Sequence, residues 1–309
     1  MTIASLNLPP DSRLAAEPIR SPRSIWRKAS RWAGAAISLA VLAAVAFQLR
    51  SLDFAGLAAL IPTSAAFWLA FAAFYLATPL SEWAIFRGLW GLPATGIFPL
   101  LRKQVTNQLV LGYMGEAQFY LWAKRRTAMV AAPFGAIKDV AVLSALAGNI
   151  ATISALAVSY PLLAGLHLGV MGATFAASVG LIMAVSIGVT VFGRRVFSLR
   201  RPALLRILAV HLVRIAATVT LSATMWHLVL PGVAAGWWVL LATVRLMLSR
   251  LPFMPNKDVA LAGVAAFLVG RDLEVAAAMA LVASLMLAAH LLVGALLGAA
   301  DLATRENRA

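Results

Sequence analysis

The fold is decided by an uncharged stretch at residues 140–160, which reads VAVLSALAGNIATISALAVSY. As a helix, about 20 apolar residues cover the ~30 Å hydrocarbon core of a bilayer. Comparable apolar runs occupy Trp32–Leu49, Ser64–Phe86, Leu168–Phe192, Val210–Leu230 and Val275–Gly298. The pattern predicts an all-α polytopic membrane protein with about six transmembrane helices.

The composition of the chain supports this class. Of its 309 residues 62% are hydrophobic and 12% are charged, against about 45–50% and about 25% in soluble domains. The 26 Lys and Arg outnumber the 11 Asp and Glu, for a formal charge of +15. These cations lie between the apolar runs and orient them in the membrane, so a soluble globular protein and a nucleic-acid partner are both excluded.

The distribution of positive charge predicts the orientation. With the amino terminus inside, 20 of the 26 Lys and Arg fall in cytoplasmic segments, as the positive-inside rule requires. Both termini are then cytoplasmic, in a bacterial inner membrane. Residues 1–31, rich in Pro and Arg, are expected to form a disordered cytoplasmic tail, residues 32–298 the transmembrane domain, and residues 299–309 a short cytoplasmic tail.

Two further apolar segments are interrupted by polar residues, at 98–133 and 236–270. Each half of a segment is too short to cross a bilayer as a helix. The two segments belong to different halves of the chain, about 32–160 and 168–298, and enter from opposite faces. We therefore expect two re-entrant helical hairpins in an inverted repeat, the arrangement that marks transporter sites. Two amphipathic loops at the membrane surface are the alternative.

Charged residues near these breaks are candidates for binding an anionic lipid headgroup, which needs donors and positive charge once it leaves water. The candidates for headgroup binding are Arg102, Lys103, Arg125, Arg126, Arg214, Arg245, Arg250 and Lys257. For Arg125 and Arg126 the alternative is an anchor at the anionic membrane surface, and for Arg214 it is snorkelling towards the cytoplasmic end of its span.

Acidic and helix-breaking residues complete the candidate set. Glu116, Asp139 and Asp258 are expected to pair with cations or to carry a coupling proton. The expected helix-break residues are Asn107, Gly112, Gly115, Pro252, Pro255 and Asn256, where the two asparagines would cap freed backbone groups. Glu82 is expected to pair with Arg87. His290 is expected to bond to a neighbouring helix, with a proton relay as the alternative.

No enzymatic signature accompanies these residues. The chain has no cysteine and four scattered histidines, so that no thiolate zinc site or HExxH motif is present. Nucleotide-binding and hydrolase motifs are missing as well. We expect no metal, no cofactor and no catalytic residues.

The first break carries a recognisable pattern. Residues 107–126, NQLVLGYMGEAQFYLWAKRR, and the second break, residues 251–258, LPFMPNKD, resemble motifs of the lysylphosphatidylglycerol synthase transmembrane family. This family comprises the flippase-like membrane region of the multiple peptide resistance factor and its stand-alone relatives. The resemblance covers roughly residues 33–298 and implies lipid translocation. Only residues 301–309 follow the last span, so the aminoacyl-transferase domain of the synthase is not expected here.

The sequence thus predicts a protein that translocates or presents an anionic lipid between leaflets. The partner lipid would be an anionic phospholipid or a polyprenyl-phosphate-linked intermediate. The alternative is a membrane scaffold that holds a lipid-modifying enzyme or a glycosyltransferase at the bilayer. The sequence leaves the lipid, the energy source and homo-oligomerisation open.

Overall fold

The computed structural model describes residues 61–109, 114–126, 133–165, 180, 184, 188, 197–249, 258, 261 and 273–306. All of them belong to one compact unit, Leu52–Ala309. In these residues the regular structure is entirely helical. The α-helices are α1 (Ala65–Trp90), α2 (Ile97–Leu109), α3 (Met114–Arg126), α4 (Pro133–Gly165), α5 (Arg201–Val229), α6 (Ala235–Leu248) and α7 (Leu273–Glu306).

Four of the helices are long and apolar enough to cross a membrane. The spanning stretches are Ala65–Trp90, Phe134–Ser159, Arg201–Val229 and Ala277–Ala300. They coincide with four of the predicted apolar runs, and the prediction of an all-α membrane protein is confirmed at this level. The run at residues 32–49 lies outside the described residues. Of the run at 168–192 only residues 180, 184 and 188 are described, and they are helical.

Both interrupted segments contain short helices. Helices α2 and α3 have 13 residues each, or about 20 Å at ~1.5 Å per residue. Helix α6 has 14 residues, and Asp258 and Leu261 beyond it are helical again. Each of these helices is shorter than the hydrocarbon core, in agreement with the short halves predicted from sequence.

Among the described helices α1 and α5 make the most extensive contact, and two large apolar cores lie at different levels along them, beside a smaller cluster of Ala147, Ile215 and Leu246. The first core joins Phe67 of α1 and Trp226 of α5 to α6 and α7. The second joins Phe86 of α1 and Ile207 of α5 to α2, α3 and α4. Between these levels, the middle turns of α1 and α5 are left to line a polar space.

The carboxyl end of α1 and the amino end of α5 are well defined in the structure. Helix α1 ends at Gly91, whose φ of 64° lets its N–H bond to the Arg87 carbonyl, a conformation that favours glycine. A short 3-10 turn then leads into α2. Helix α5 begins at Arg201, well before the predicted apolar run. Arg214 therefore lies near the middle of α5.

Candidate functional site

A cavity of about 230 Å³ lies where α1, α2, α5, α6 and α7 meet. It occupies the level between the two apolar cores. Its polar lining residues are Tyr75, Thr78, Gln104, Asn107, Gln108, Arg214, Thr218, Arg245, Ser249, Asp258 and His290. Helix α2 belongs to the first interrupted segment, and Arg245, Ser249 and Asp258 belong to the second. The two segments therefore contribute to one polar chamber.

Arg214 is the cation that α5 contributes to this chamber. Its Nη2 donates to Oγ of Ser144 on α4, at 3.0 Å. Among the described residues no carboxylate lies at ion-pair distance from Arg214, and Glu82 attracts it only at longer range. Because a guanidinium carries five N–H donors in a planar fork, most of its donors are left for a ligand with several acceptor oxygens.

Arg245 and Asp258 form an ion pair in the same chamber. Nε of Arg245 lies 3.0 Å from Oδ1 of Asp258. The Arg245 guanidinium also lies over the ring of Phe74, 4.7 Å from its centroid, which favours a fixed orientation. Arg245 and Asp258 thus largely balance each other, and Arg214 supplies the excess positive charge among the described lining residues.

His290 of α7 and Tyr75 of α1 form another part of the wall. Nδ1 of His290 lies 3.2 Å from Oη of Tyr75, and the two ring centroids are 5.0 Å apart. The expectation that His290 bonds to a neighbouring helix is confirmed.

The sequence analysis did not predict that neutral polar residues line the wall, and it named Asn107 only as a helix-break residue. Gln104, Asn107 and Gln108 lie at positions i, i+3 and i+4 of α2, which share one helix face. Thr218 follows Arg214 by four residues on α5, again on the same face. This spacing is visible in the sequence and could have identified them, had it been sought around the charged candidates.

Lys103 lies away from the cavity, between two carboxylates. Its Nζ is 2.7 Å from Oε1 of Glu82 and 3.3 Å from Oε1 of Glu116. Burial alone would lower the pKa of Lys103, but its attraction to both carboxylates and its hydrogen bonds with them raise this pKa above its ordinary value. The expected partner of Glu82 was wrong: the Arg87 guanidinium lies over the Trp83 ring instead, 5.0 Å from its centroid.

Asn107 joins α2 to α3 at the first helix break. Its Oδ1 accepts the Gly115 N–H at 2.7 Å, and its Nδ2 donates to Oε2 of Glu116 at 3.0 Å. Asn107 therefore caps the first turn of α3 from a neighbouring helix, as expected for a helix-break residue. A Cβ on Gly115 would collide with the Lys103 carbonyl oxygen, so that glycine is required for this close contact.

Asp139 is fully buried at the start of α4, outside the cavity. Its Oδ2 accepts bonds from the Ser198 N–H at 2.7 Å, the Ser198 hydroxyl at 3.0 Å and the Leu199 N–H at 2.8 Å. Nζ of Lys138 lies 3.5 Å from Oδ1. Asp139 thus fastens the segment before α5 to α4 through hydrogen bonds, a role that the sequence analysis did not predict.

The remaining candidates lie at the edge of the described residues or beyond. Nη2 of Arg102 donates to the Leu297 carbonyl of α7 at 3.1 Å. Arg125 and Arg126 belong to the last turn of α3. Arg250, Lys257, Gly112, Pro252, Pro255 and Asn256 lie outside the described residues. Within the part of the chain that is described, no three acidic or histidine side chains form a metal-binding group.

Comparisons of the chain with protein-family models, curated proteins and solved structures give no match. The functional argument therefore rests on the site itself.

Proposed function

We propose that this protein translocates an anionic lipid between the leaflets of a bacterial inner membrane, with the headgroup passing through the cavity. One observation carries the proposal: Arg214, a cation with no carboxylate at ion-pair distance among the described residues, faces a polar chamber between long apolar helices. Charged groups at membrane depth are costly and usually serve a substrate or ion pathway. A phosphate group matches the donors that Arg214 offers.

The size of the chamber favours a headgroup over a whole lipid. Its 230 Å³ is below the ~300–1,000 Å³ of sites that enclose drug-sized molecules. A phosphate with a small substituent fits this volume, whereas two acyl chains do not. The acyl chains would therefore stay in the hydrocarbon while the headgroup moves through the protein.

The proposed membrane arrangement has six spans and two re-entrant hairpins related by an inverted repeat. Helices α2 and α3 would form the first hairpin, and α6 with the helical residues 258 and 261 would form the second. Their joint contribution to the chamber supports this arrangement, because transporters place substrate sites where interrupted helices of two repeats meet. The resemblance to the lysylphosphatidylglycerol synthase transmembrane family agrees with the same proposal.

The direct test is leaflet exchange in proteoliposomes. Purified protein is reconstituted with fluorescent phosphatidylglycerol, and a membrane-impermeant reductant bleaches the outer leaflet. We expect bleaching to continue into the inner-leaflet pool in protein-containing vesicles and to stop at about half of the signal in protein-free vesicles.

Two variants on the same helix make the assay specific for the cavity. Arg214→Gln should slow exchange about tenfold or more, since losing a charge-assisted hydrogen bond costs roughly 1.5–3 kcal/mol. Arg206→Gln changes an exposed arginine of α5 outside the cavity and should leave exchange near the wild-type rate. Equal exchange with and without protein, for several anionic headgroups, would overturn the proposal.

A further inference from the structure

In the described part of the chain one ring nitrogen of His290 contacts another side chain and the other nitrogen does not. Nδ1 lies 3.2 Å from Oη of Tyr75, and Oη in turn is 3.5 Å from the Ala289 carbonyl oxygen. Nε2 has no hydrogen-bond partner among the described residues, although the ring lines the cavity. If Tyr75 donates to the carbonyl, its oxygen accepts from Nδ1–H, an arrangement that suits a protonated ring.

Burial opposes a proton on His290 in the empty site, since the side chain is only 6% exposed and a buried charge is costly; the Asp258 carboxylate offsets this cost in part. Among the described residues Arg214 on α5 and Arg245 on α6 face the same cavity, together with one carboxylate, that of Asp258. Tyr75 of α1 is uncharged, and α2 contributes only the neutral amides Gln104, Asn107 and Gln108. A third positive charge is therefore unfavourable until an anion arrives to balance it.

We propose that the cavity binds its anionic headgroup together with a proton, which His290 takes up on the ring. The protonated ring then donates Nδ1–H to Tyr75 and Nε2–H to the anion. This inference rests on the proposed function and adds a proton to it as a second bound species. Histidine suits this role because its charge changes within the physiological pH range.

Thermodynamic linkage gives the sign of the effect. If the complex holds one proton more than the free protein, the affinity for the anion rises as the pH falls. The limit for one proton is about a tenfold change in the dissociation constant per pH unit. A phosphodiester probe keeps its single negative charge between about pH 6 and about pH 8. Any pH dependence of its binding therefore arises from ionisable groups of the protein.

The experiment is calorimetric titration of the full chain in detergent micelles with short-chain phosphatidylglycerol, at about pH 6 and about pH 8. We expect wild-type protein to bind at least about tenfold more tightly at the lower pH. His290→Gln retains a neutral donor that cannot titrate, and should bind with less than about a twofold difference between the two conditions.

A matched control uses another histidine. His227 is exposed in the last turn of α5 and does not line the cavity, so His227→Gln should keep the wild-type pH dependence. Tyr75→Phe retains the aromatic packing but removes the acceptor for Nδ1–H, and should reduce the pH effect without abolishing binding.

Each result discriminates between the two proposals. Binding by the wild type that is equal at both pH values would overturn the inference about His290 and leave lipid translocation standing. The same holds if His290→Gln keeps the full pH dependence or if His227→Gln loses it. No binding at either pH, together with no leaflet exchange, would overturn both.

Discussion

The ammonium of Lys103 lies 2.7 Å from Oε1 of Glu82 and links α2 to α1 through a buried ion pair. Glu116 of α3 joins the same ammonium at 3.3 Å. Three helices are thus held together by one lysine. Such a pair positions its helices more than it stabilises them, because both charges have lost their hydration.

Replacing Lys103 should therefore be far more damaging than replacing a surface lysine. Lys103→Met leaves Glu82 buried without its cation and removes the ammonium from the half-buried Glu116, and we expect the free energy of unfolding to fall by about 3 kcal/mol or more. Denaturant titration in micelles measures the change. Arg206→Met, which changes an exposed cation of α5, is the control, and an equal effect of both variants would contradict a structural ion pair at Lys103.

Gly115 allows α2 and α3 to approach each other. In Gly115→Ala the new Cβ would meet the Lys103 carbonyl oxygen and would lie 2.7 Å from Oδ1 of Asn107. We expect a loss of roughly 1–3 kcal/mol in unfolding free energy from this overpacking. Gly298→Ala has open space around its Cβ and should be neutral or stabilising, as expected for alanine in a helix. A Gly115→Ala protein as stable as Gly298→Ala would refute the close contact.

Asp139 should hold the segment before α5 in a fixed conformation. Asp139→Ala removes the acceptor of three hydrogen bonds, whereas Ser198→Ala removes one of them. Hydrogen exchange at the Ser198 and Leu199 amides should accelerate strongly in the first variant and weakly in the second. Unchanged protection in Asp139→Ala would show that the carboxylate does not hold this segment.

The predicted topology can be tested with single cysteines, since the chain has none of its own. Thr95 is exposed in the turn between α1 and α2, and Gly232 is exposed between α5 and α6. With both termini inside, Thr95→Cys should react with an impermeant reagent only from the cytoplasmic face, and Gly232→Cys only from the opposite face. Reaction of both from one face would contradict the assigned orientation.

The sequence predicted the helices better than the contacts between them. The length of the apolar runs is enough to locate α1, α4, α5 and α7, because a helix satisfies all of its backbone hydrogen bonds internally in hydrocarbon. The interruptions likewise predicted the short helices α2 and α3. Contacts across helices depend on helix rotation and register, which local patterns do not determine.

The wrong partner for Glu82 shows why contacts between helices are hard to predict from local patterns. Glu82 was assigned to Arg87, its neighbour along the same helix, but its partner is Lys103 on α2. Asn107, by contrast, was correctly predicted to cap a helix break, because the signal for that role is local.

The central claim is that a polar chamber reached by anions lies among membrane-spanning helices. It is tested most directly by single cysteines at two positions of α5. Thr218 lines the cavity, whereas the side chain of Val213 is 69% exposed on the outer face of the bundle. In liposomes an anionic, water-soluble thiol reagent should modify Thr218→Cys, and short-chain phosphatidylglycerol should protect it, while Val213→Cys in hydrocarbon should stay unmodified. Modification of Val213→Cys alone, or equal modification of both without protection, would contradict the account.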